Sequence, residues 1–236
     1  MKAVCLGSGG YFTTETNFTV CFMVPELGII FDCGSGLFRA SKYIQTKDLH
    51  IFLSHAHLDH IIGLGNVKVL NAKIYIHATQ SVLDSLDVIL NPPFVGSHPN
   101  YIGVPLDKEN PVCLENGSKI YHFDVAHSCP CKGFRLEYNG KSLCFITDTT
   151  SNAESSYLQY AKNSNLLIHE CYYTNEKKKL SHTCPEDLIE FLKLANPEKT
   201  LTIHHNPNGN KGQLLNELKK QIPNIECAEE NKEYLI

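Results

Sequence analysis

The stretch Ser54-His55-Ala56-His57-Leu58-Asp59-His60 constrains this chain more than any other. It follows the apolar run Leu49-His50-Ile51-Phe52-Leu53 and precedes Ile61-Ile62-Gly63. It therefore sits where a buried strand ends and the chain turns toward a helix. Side chains at i and i+2 of extended backbone project to the same side, so His55 and His57 can grip one ion. Asp59 and His60, past the turn, can point at a second. Imidazole and carboxylate at this density are costly to bury without a cation, which argues against a polar loop that merely happens to be rich in histidine.

Length, charge and cysteine usage bound what surrounds this motif. The 236 residues suffice for one sizeable core, and a single domain over 1–236 is the expectation. Net charge is −4, and Arg39 and Arg135 are the only arginines. A nucleic-acid binder ordinarily shows a basic stripe with bidentate arginines, so nucleic acid is not the favoured partner. A small phosphorylated substrate stays open, because a metal can neutralise phosphate. The ten cysteines are scattered, and several (Cys5, Cys21, Cys144) lie in apolar runs. Lys2-Ala3-Val4-Cys5-Leu6 is too short for a signal and meets Gly7 at once. No apolar stretch approaches the roughly 18 residues of a membrane span. A reduced, soluble, cytoplasmic protein is expected, with a homodimer as an open alternative to a monomer.

Strand patterns run over 3–6, 18–24, 29–31, 49–53, 73–77, 119–126, 133–138, 142–147, 166–169 and 200–203, with a last one in the tail 225–236. Helical spacing covers 37–46, 81–90, 155–163, 186–194 and 213–221. Gly7-Ser8-Gly9-Gly10 lacks the spacing of a dinucleotide or phosphate-loop fingerprint and reads as a tight turn lining a site. Asp32 ends a strand and can orient a histidine from behind. Asn91 to Pro111, with Phe94 and Tyr101, is the longest irregular stretch, and such loops often serve as lids. The pattern places sheets inside and helices outside.

The polar residues at strand ends are His55, His57, Asp59, His60, His127, Asp148, His182 and His204. Imidazole and carboxylate suit zinc, and also iron or manganese. Two ions about 3.5–4 Å apart, with a hydroxide between them, need six or seven such ligands with one carboxylate bridging. One histidine is left over.

His55-Ala56-His57-Leu58-Asp59-His60 matches the HxHxDH signature of the metallo-β-lactamase-fold hydrolases. The chain resembles their ribonuclease Z-like and phosphodiesterase branch over nearly its whole length. Leu6-Gly7-Ser8-Gly9, Phe31-Asp32-Cys33-Gly34-Ser35-Gly36, Thr147-Asp148-Thr149, Leu167-Ile168-His169-Glu170, Ser181-His182-Thr183 and Leu201-Thr202-Ile203-His204-His205-Asn206-Pro207 add to the match. The resemblance implies an α/β (α+β) four-layer αββα sandwich with two divalent ions, zinc first among them. It implies that His55, His57 and His127 hold one ion, and that Asp59, His60 and His204 hold the other, with Asp148 bridging. Between His204 and His205 it selects His204, three residues before Pro207. Asp59 and His182 would be catalytic, His182 as a hydrogen-bond donor or acid toward phosphate. Cys129 and Cys131 read as free thiols, and His169-Glu170 as a supporting pair.

The expected activity is hydrolysis of a small phosphodiester such as a cyclic nucleotide by a metal-bridged hydroxide. Ribonuclease Z-like processing of tRNA 3′ ends is the alternative, weakened because no long basic, glycine-rich insertion resembles the RNA-gripping arm of that branch. An iron-dependent oxidoreductase of the same fold, persulfide dioxygenase-like, is an alternative of another class.

Overall fold

The computed structural model describes residues 1–106, 110–173 and 181–236. Among them, β1 (Lys2–Gly7), β2 (Cys21–Val24), β3 (Ile29–Phe31), β4 (Asp48–Phe52), β5 (Lys73–Ala78) and β6 (Ile102–Pro105) lie side by side in one sheet. A second sheet runs from β7 (Val112–Cys113) through β8 (Lys119–Val125), β9 (Cys131–Tyr138), β10 (Lys141–Ile146), β11 (Leu166–Glu170) and β12 (Lys199–Ile203) to β13 (Ile225–Cys227). The chain then crosses back, and β14 (Glu233–Leu235) pairs with β1, so each sheet has seven strands. Both sheets change character midway. β1 to β3 pair antiparallel and β3 to β6 parallel, while β7 to β10 pair antiparallel and β10 to β13 parallel.

The alternation along each strand explains why two sheets stack. Phe22, Phe31 and Phe52 of the first sheet face Phe134, Phe145, Ile168 and Leu201 of the second across one buried layer. Phe31 sits near its centre, with ring centroids 5.4 Å from Phe145, 5.9 Å from Phe134 and 6.1 Å from Phe52. The residues between them point the other way. Met23, Ile30 and Ile51 pack with Leu37 and Leu64 of two 3-10 helices (Ser35–Lys42 and Ile62–Leu70) and with Leu86. The helices are α1 (Leu58–Ile61), α2 (Gln80–Ile89), α3 (Leu158–Ala161), α4 (Pro185–Ala195) and α5 (Lys211–Lys219). Cys144, Ile146 and Leu167 are covered by α3, α4 and α5. The result is the expected αββα sandwich.

Three expectations are corrected. The helix over 37–46 is a 3-10 helix over Ser35–Lys42. It runs so close to β1 that a Cβ on Gly36 would lie 2.2 Å from the Leu6 carbonyl oxygen. The helix over 155–163 shrinks to the single turn of α3, which buries only Ala161 and has no apolar stripe to extend it. The irregular stretch 91–111 contains β6, paired in parallel register with β5 from Tyr75↔Ile102 to Ala78↔Pro105. Gly103 and Pro105 hide its strand pattern, and proline is tolerated there because β6 is an edge strand. Residues 107–109 of that stretch lie outside the described residues, and so do 174–180.

All ten cysteines are free thiols. Among the described residues no helix is long and apolar enough to cross a membrane.

Phe31→Ala removes the ring that touches three others between the sheets. The expected loss is about 3–5 kcal/mol of stability, read from the urea midpoint at constant m-value. A loss below about 1 kcal/mol would show that the layer repacks without this ring.

Candidate metal centre

The parallel strands of both sheets end at one rim, and the polar residues stand there. His55 and His57 follow β4 on extended backbone, and Asp59 and His60 lie in α1. His127 follows β8, Asp148 follows β10 and His204 follows β12. Three turns at this rim are left-handed at a residue with a functional side chain: Asp32 (φ 54), Asp148 (φ 34) and His204 (φ 53). Such backbone costs about 1–3 kcal/mol per residue and persists only where neighbours hold it. Here Asp32 N donates to Phe52 O at 3.0 Å and His204 N to Ser8 O at 2.8 Å.

Asp148 is the hub. It is only 2% exposed. Its Oδ2 lies 3.7 Å from His55 Nε2 and 3.6 Å from His127 Nε2. Its Oδ1 lies 3.2 Å from both His60 Nε2 and His204 Nε2. The carboxylate thus turns one oxygen to each of two groups. His57 Nδ1 joins the first group, 3.3 Å from His127 Nε2. Asp59 joins the second, its Oδ2 3.4 Å from His60 Nε2 and 3.1 Å from His204 Nε2. His205 does not take part; its Nε2 turns back to Thr202 Oγ1 at 3.0 Å.

Behind the cluster a relay sets which imidazole nitrogen points inward. Asp32 is fully buried and accepts from Ser54 N at 2.7 Å, Ser54 Oγ at 2.9 Å and His60 Nδ1 at 2.8 Å. Because Ser54 spends its proton on Asp32, its oxygen accepts from His55 Nδ1 at 2.9 Å. His127 Nδ1 donates to Ser181 O at 3.2 Å. Each of these three histidines therefore carries a hydrogen on Nδ1 and turns Nε2 to the centre, the orientation that metal ligation needs. Asp32 thus has the orienting position expected of it; Ser54 and Ser181 were not anticipated. A serine directly before the first histidine was the available sign for Ser54, whereas a backbone carbonyl leaves no mark in the sequence.

The electrostatics suit a cation. Burial pushes the Asp148 carboxyl up, but the charges on His204 and His60 outweigh it and hold it well below the usual range. Asp59 is likewise held down, burial being overcome by His60 and by the His204 hydrogen bond. Burial lowers His55 and His127, keeping both neutral with free lone pairs. His60 goes the other way, its burial overcome by Asp148, Asp32 and Asp59, which hold a proton there. A negative potential that retains a proton attracts a divalent ion more strongly. The Nε2 atoms of His55 and His60 are buried without a hydrogen-bond partner. Such orphans cost about 1–3 kcal/mol each, and a metal ion would relieve them. The residues present therefore fit divalent metal.

On one flank His182 Nδ1 lies 3.3 Å from Glu170 Oε1, and its ring stacks on Tyr172 (4.6 Å) and His204 (5.2 Å). Glu170 Oε1 also accepts from Thr149 N and Thr183 N at 3.1 and 2.9 Å. Burial would lower the His182 pKa, but the Glu170 hydrogen bond and charge raise it overall. His169 Nε2 meets Ser151 Oγ at 2.7 Å. Cys129 Sγ lies 3.7 Å from His57 Nε2, nearer than a merely scattered thiol. Burial raises its pKa, and it stands with His55, His57 and His127 closely enough to share an ion. Cys131 Sγ lies 3.6 Å from His55 Nδ1, outside the lone-pair side of that ring.

A family profile described as the beta-lactamase superfamily domain matches residues 28–205. The ribonuclease Z of Macrococcus caseolyticus is 25% identical over an alignment covering 94% of each chain. The metallo-beta-lactamase fold protein YhfI of Bacillus subtilis superposes with a TM-score of 0.82 at 18% identity, covering 99% of this chain and 98% of YhfI. A diphosphatase from the PhnP family superposes with a TM-score of 0.77 at 17% identity, covering 99% of this chain and 97% of that one.

Asp32→Asn keeps a residue that tolerates left-handed backbone but gives up the charge that orients His60. Metal affinity should fall about 10–100-fold in a chelator competition, with the fold retained by circular dichroism. Unchanged affinity would mean that the relay does not govern ligation.

Proposed function

The chain belongs to the beta-lactamase superfamily and is a ribonuclease Z-like metallohydrolase, and we propose that it hydrolyses small phosphodiesters at a centre of two divalent ions, zinc foremost. In this reading His55, His57 and His127 would hold one ion and Asp59, His60 and His204 the other, with Asp148 shared between them. The observation that carries it is the division of Asp148, one oxygen toward His55 and His127 and the other toward His60 and His204. Bound divalent ions acidify water and neutralise phosphate charge.

The remaining steps belong to the chain. Asp59 keeps one oxygen oriented by the Tyr11 backbone N–H at 2.9 Å and, ionised, serves as acceptor for the proton of the attacking water. His182 is held by Glu170 so that Nε2 is its free nitrogen. With Nδ1 given to Glu170, its other nitrogen is available to bind a phosphate oxygen or protonate the leaving oxygen. Tyr172, stacked on the His182 ring, stops it from swinging out.

A small substrate is favoured over tRNA by the balance of charge and by size. The alignment with the Macrococcus ribonuclease Z extends over 296 positions, more than the 236 residues of this chain, so that relative carries segments with no counterpart here. Processing of tRNA remains the second reading, because relatives of that name match most of the chain.

Metal-loaded protein should cleave bis(p-nitrophenyl) phosphate and cyclic nucleotides. His182→Ala should keep its metal by elemental analysis and lose about 10²–10⁴-fold in kcat. Asp148→Ala should lose metal and activity together. Cleavage of precursor tRNA with the small diesters left intact would overturn the substrate class, and full activity in His182→Ala would remove its role.

A further inference from the structure

Asp32, Ser54 and Ser181 orient the rings of His60, His55 and His127, whereas His204 Nδ1 is buried without a hydrogen-bond partner among the described residues. What holds His204 is a loop. Its backbone N–H donates to Ser8 O at 2.8 Å, and Gly10 presses so closely on the ring that a Cβ there would lie 2.7 Å from Nδ1. The next residue, Tyr11, gives its N–H to Asp59 Oδ2 at 2.9 Å. Asp59 and His204 thus both rest on residues 8–11. That segment is strained: Tyr11 has φ 64, and Phe12 N closes a three-residue turn onto Gly10 O at 2.8 Å. A turn of this hand is rare and persists only where its surroundings hold it.

One carboxylate grips both ends of the loop. Gly9 N donates to Phe18 O at 2.8 Å and closes its base. Glu230 Oε1 accepts from Phe18 N at 2.6 Å and, more weakly, from Ser8 N at 3.4 Å. Glu230 Oε2 accepts from Arg39 Nη1, which also donates to Leu6 O at 2.7 Å. The Arg39 guanidinium lies 4.2 Å over the Phe18 ring. A planar guanidinium can meet a carboxylate, a carbonyl and a ring face together, which an ammonium cannot. The side chains of Arg39 and Glu230 are only 14% and 9% exposed, so solvent screens their attraction little. Both ends of the clamp are fixed. Arg39 stands on the 3-10 helix Ser35–Lys42 that packs on β1, and the residues after Glu230 are tied to β1 by Asn231 N to Cys5 O at 2.7 Å and Cys5 N to Lys232 O at 3.1 Å.

We infer that Glu230, locked by Arg39, is a positioning residue for the second ion: it holds the loop, and with it the strained turn at Tyr11, against His204 and Asp59. The inference rests on reading the centre as a two-ion site. Glu230 acts through the loop rather than on the ions, and its effect is one-sided. Releasing the clamp loosens Asp59 and His204 but leaves His55 on Ser54 and His127 on Ser181, so the second ion is weakened and the first is not.

Zinc titration of the full chain against a chromophoric chelator, with elemental analysis, tests it. Wild type should take up two ions. Glu230→Ala should bind the first ion as wild type does and the second about ten-fold more weakly or worse, as when a ligand loses its supporting partner. Glu230→Gln keeps an acceptor for Phe18 N but not the charge facing Arg39, so its second affinity should fall between the two; it also decides the matter if Glu230→Ala does not fold. Glu233→Ala breaks the exposed Lys2 pair of β14 in the same tail and should keep both affinities, with urea midpoints measured for all variants. Equal weakening of both ions, an unchanged second ion in the Glu230 variants, or the same selective loss in Glu233→Ala would overturn the inference alone. A wild type that takes up a single ion would fail the two-ion reading and the inference with it.

Discussion

Asp148 is the interaction on which the site depends. A carboxylate buried to this degree would be raised toward neutrality by desolvation alone, yet His204 and His60 at one oxygen hold it ionised, while His55 and His127 stand at the other. These four imidazoles arrive from three separate strand ends, so one acidic side chain registers parts of the chain that are far apart in sequence. Burial keeps His55 and His127 neutral while the acids keep His60 charged. The chain thus prepares free lone pairs on one side of Asp148 and negative potential on the other, and both are what a divalent ion needs.

Holding that hub in place falls to the sandwich. The aromatic layer around Phe31 locks the two sheets face to face, and the parallel strands of each deliver their ends to a common rim. Left-handed residues at Asp32, Asp148 and His204 turn the chain sharply there. Their conformational cost, about 1–3 kcal/mol each, is tolerable because buried strands fix them on one side and hydrogen bonds on the other. The relay from Asp32 through Ser54 to His55 then sets proton positions rather than backbone. Geometry and protonation are thus controlled by different layers of the same rim.

The two flanks of the centre differ in kind. Glu170, His182 and Tyr172 form a hydrogen-bonded and stacked group on one side. Gly9, Asn17, His205 and Lys211 line an open, amide-rich pocket on the other flank, where Asn17 accepts from Lys211.

The local pattern of the chain determined most strands and the long helices α2, α4 and α5, because alternation and helical spacing express how each residue meets a core. It also determined the contiguous group His55, His57, Asp59 and His60, and it marked His127, Asp148 and His204 as polar residues where strands stop. It could not reveal β6, whose glycine and proline disguise an edge strand, or the 3-10 helix pressed against β1 by Gly36. Nor could it reveal which oxygen of Asp148 meets which histidine, that His205 turns away to Thr202, or that Asn17 reaches Lys211. Those facts depend on how two sheets and two distant loops lie against each other in space. Sequence records the chemistry of each strand end, and only the packing of one sheet on the other brings those ends within a few ångströms.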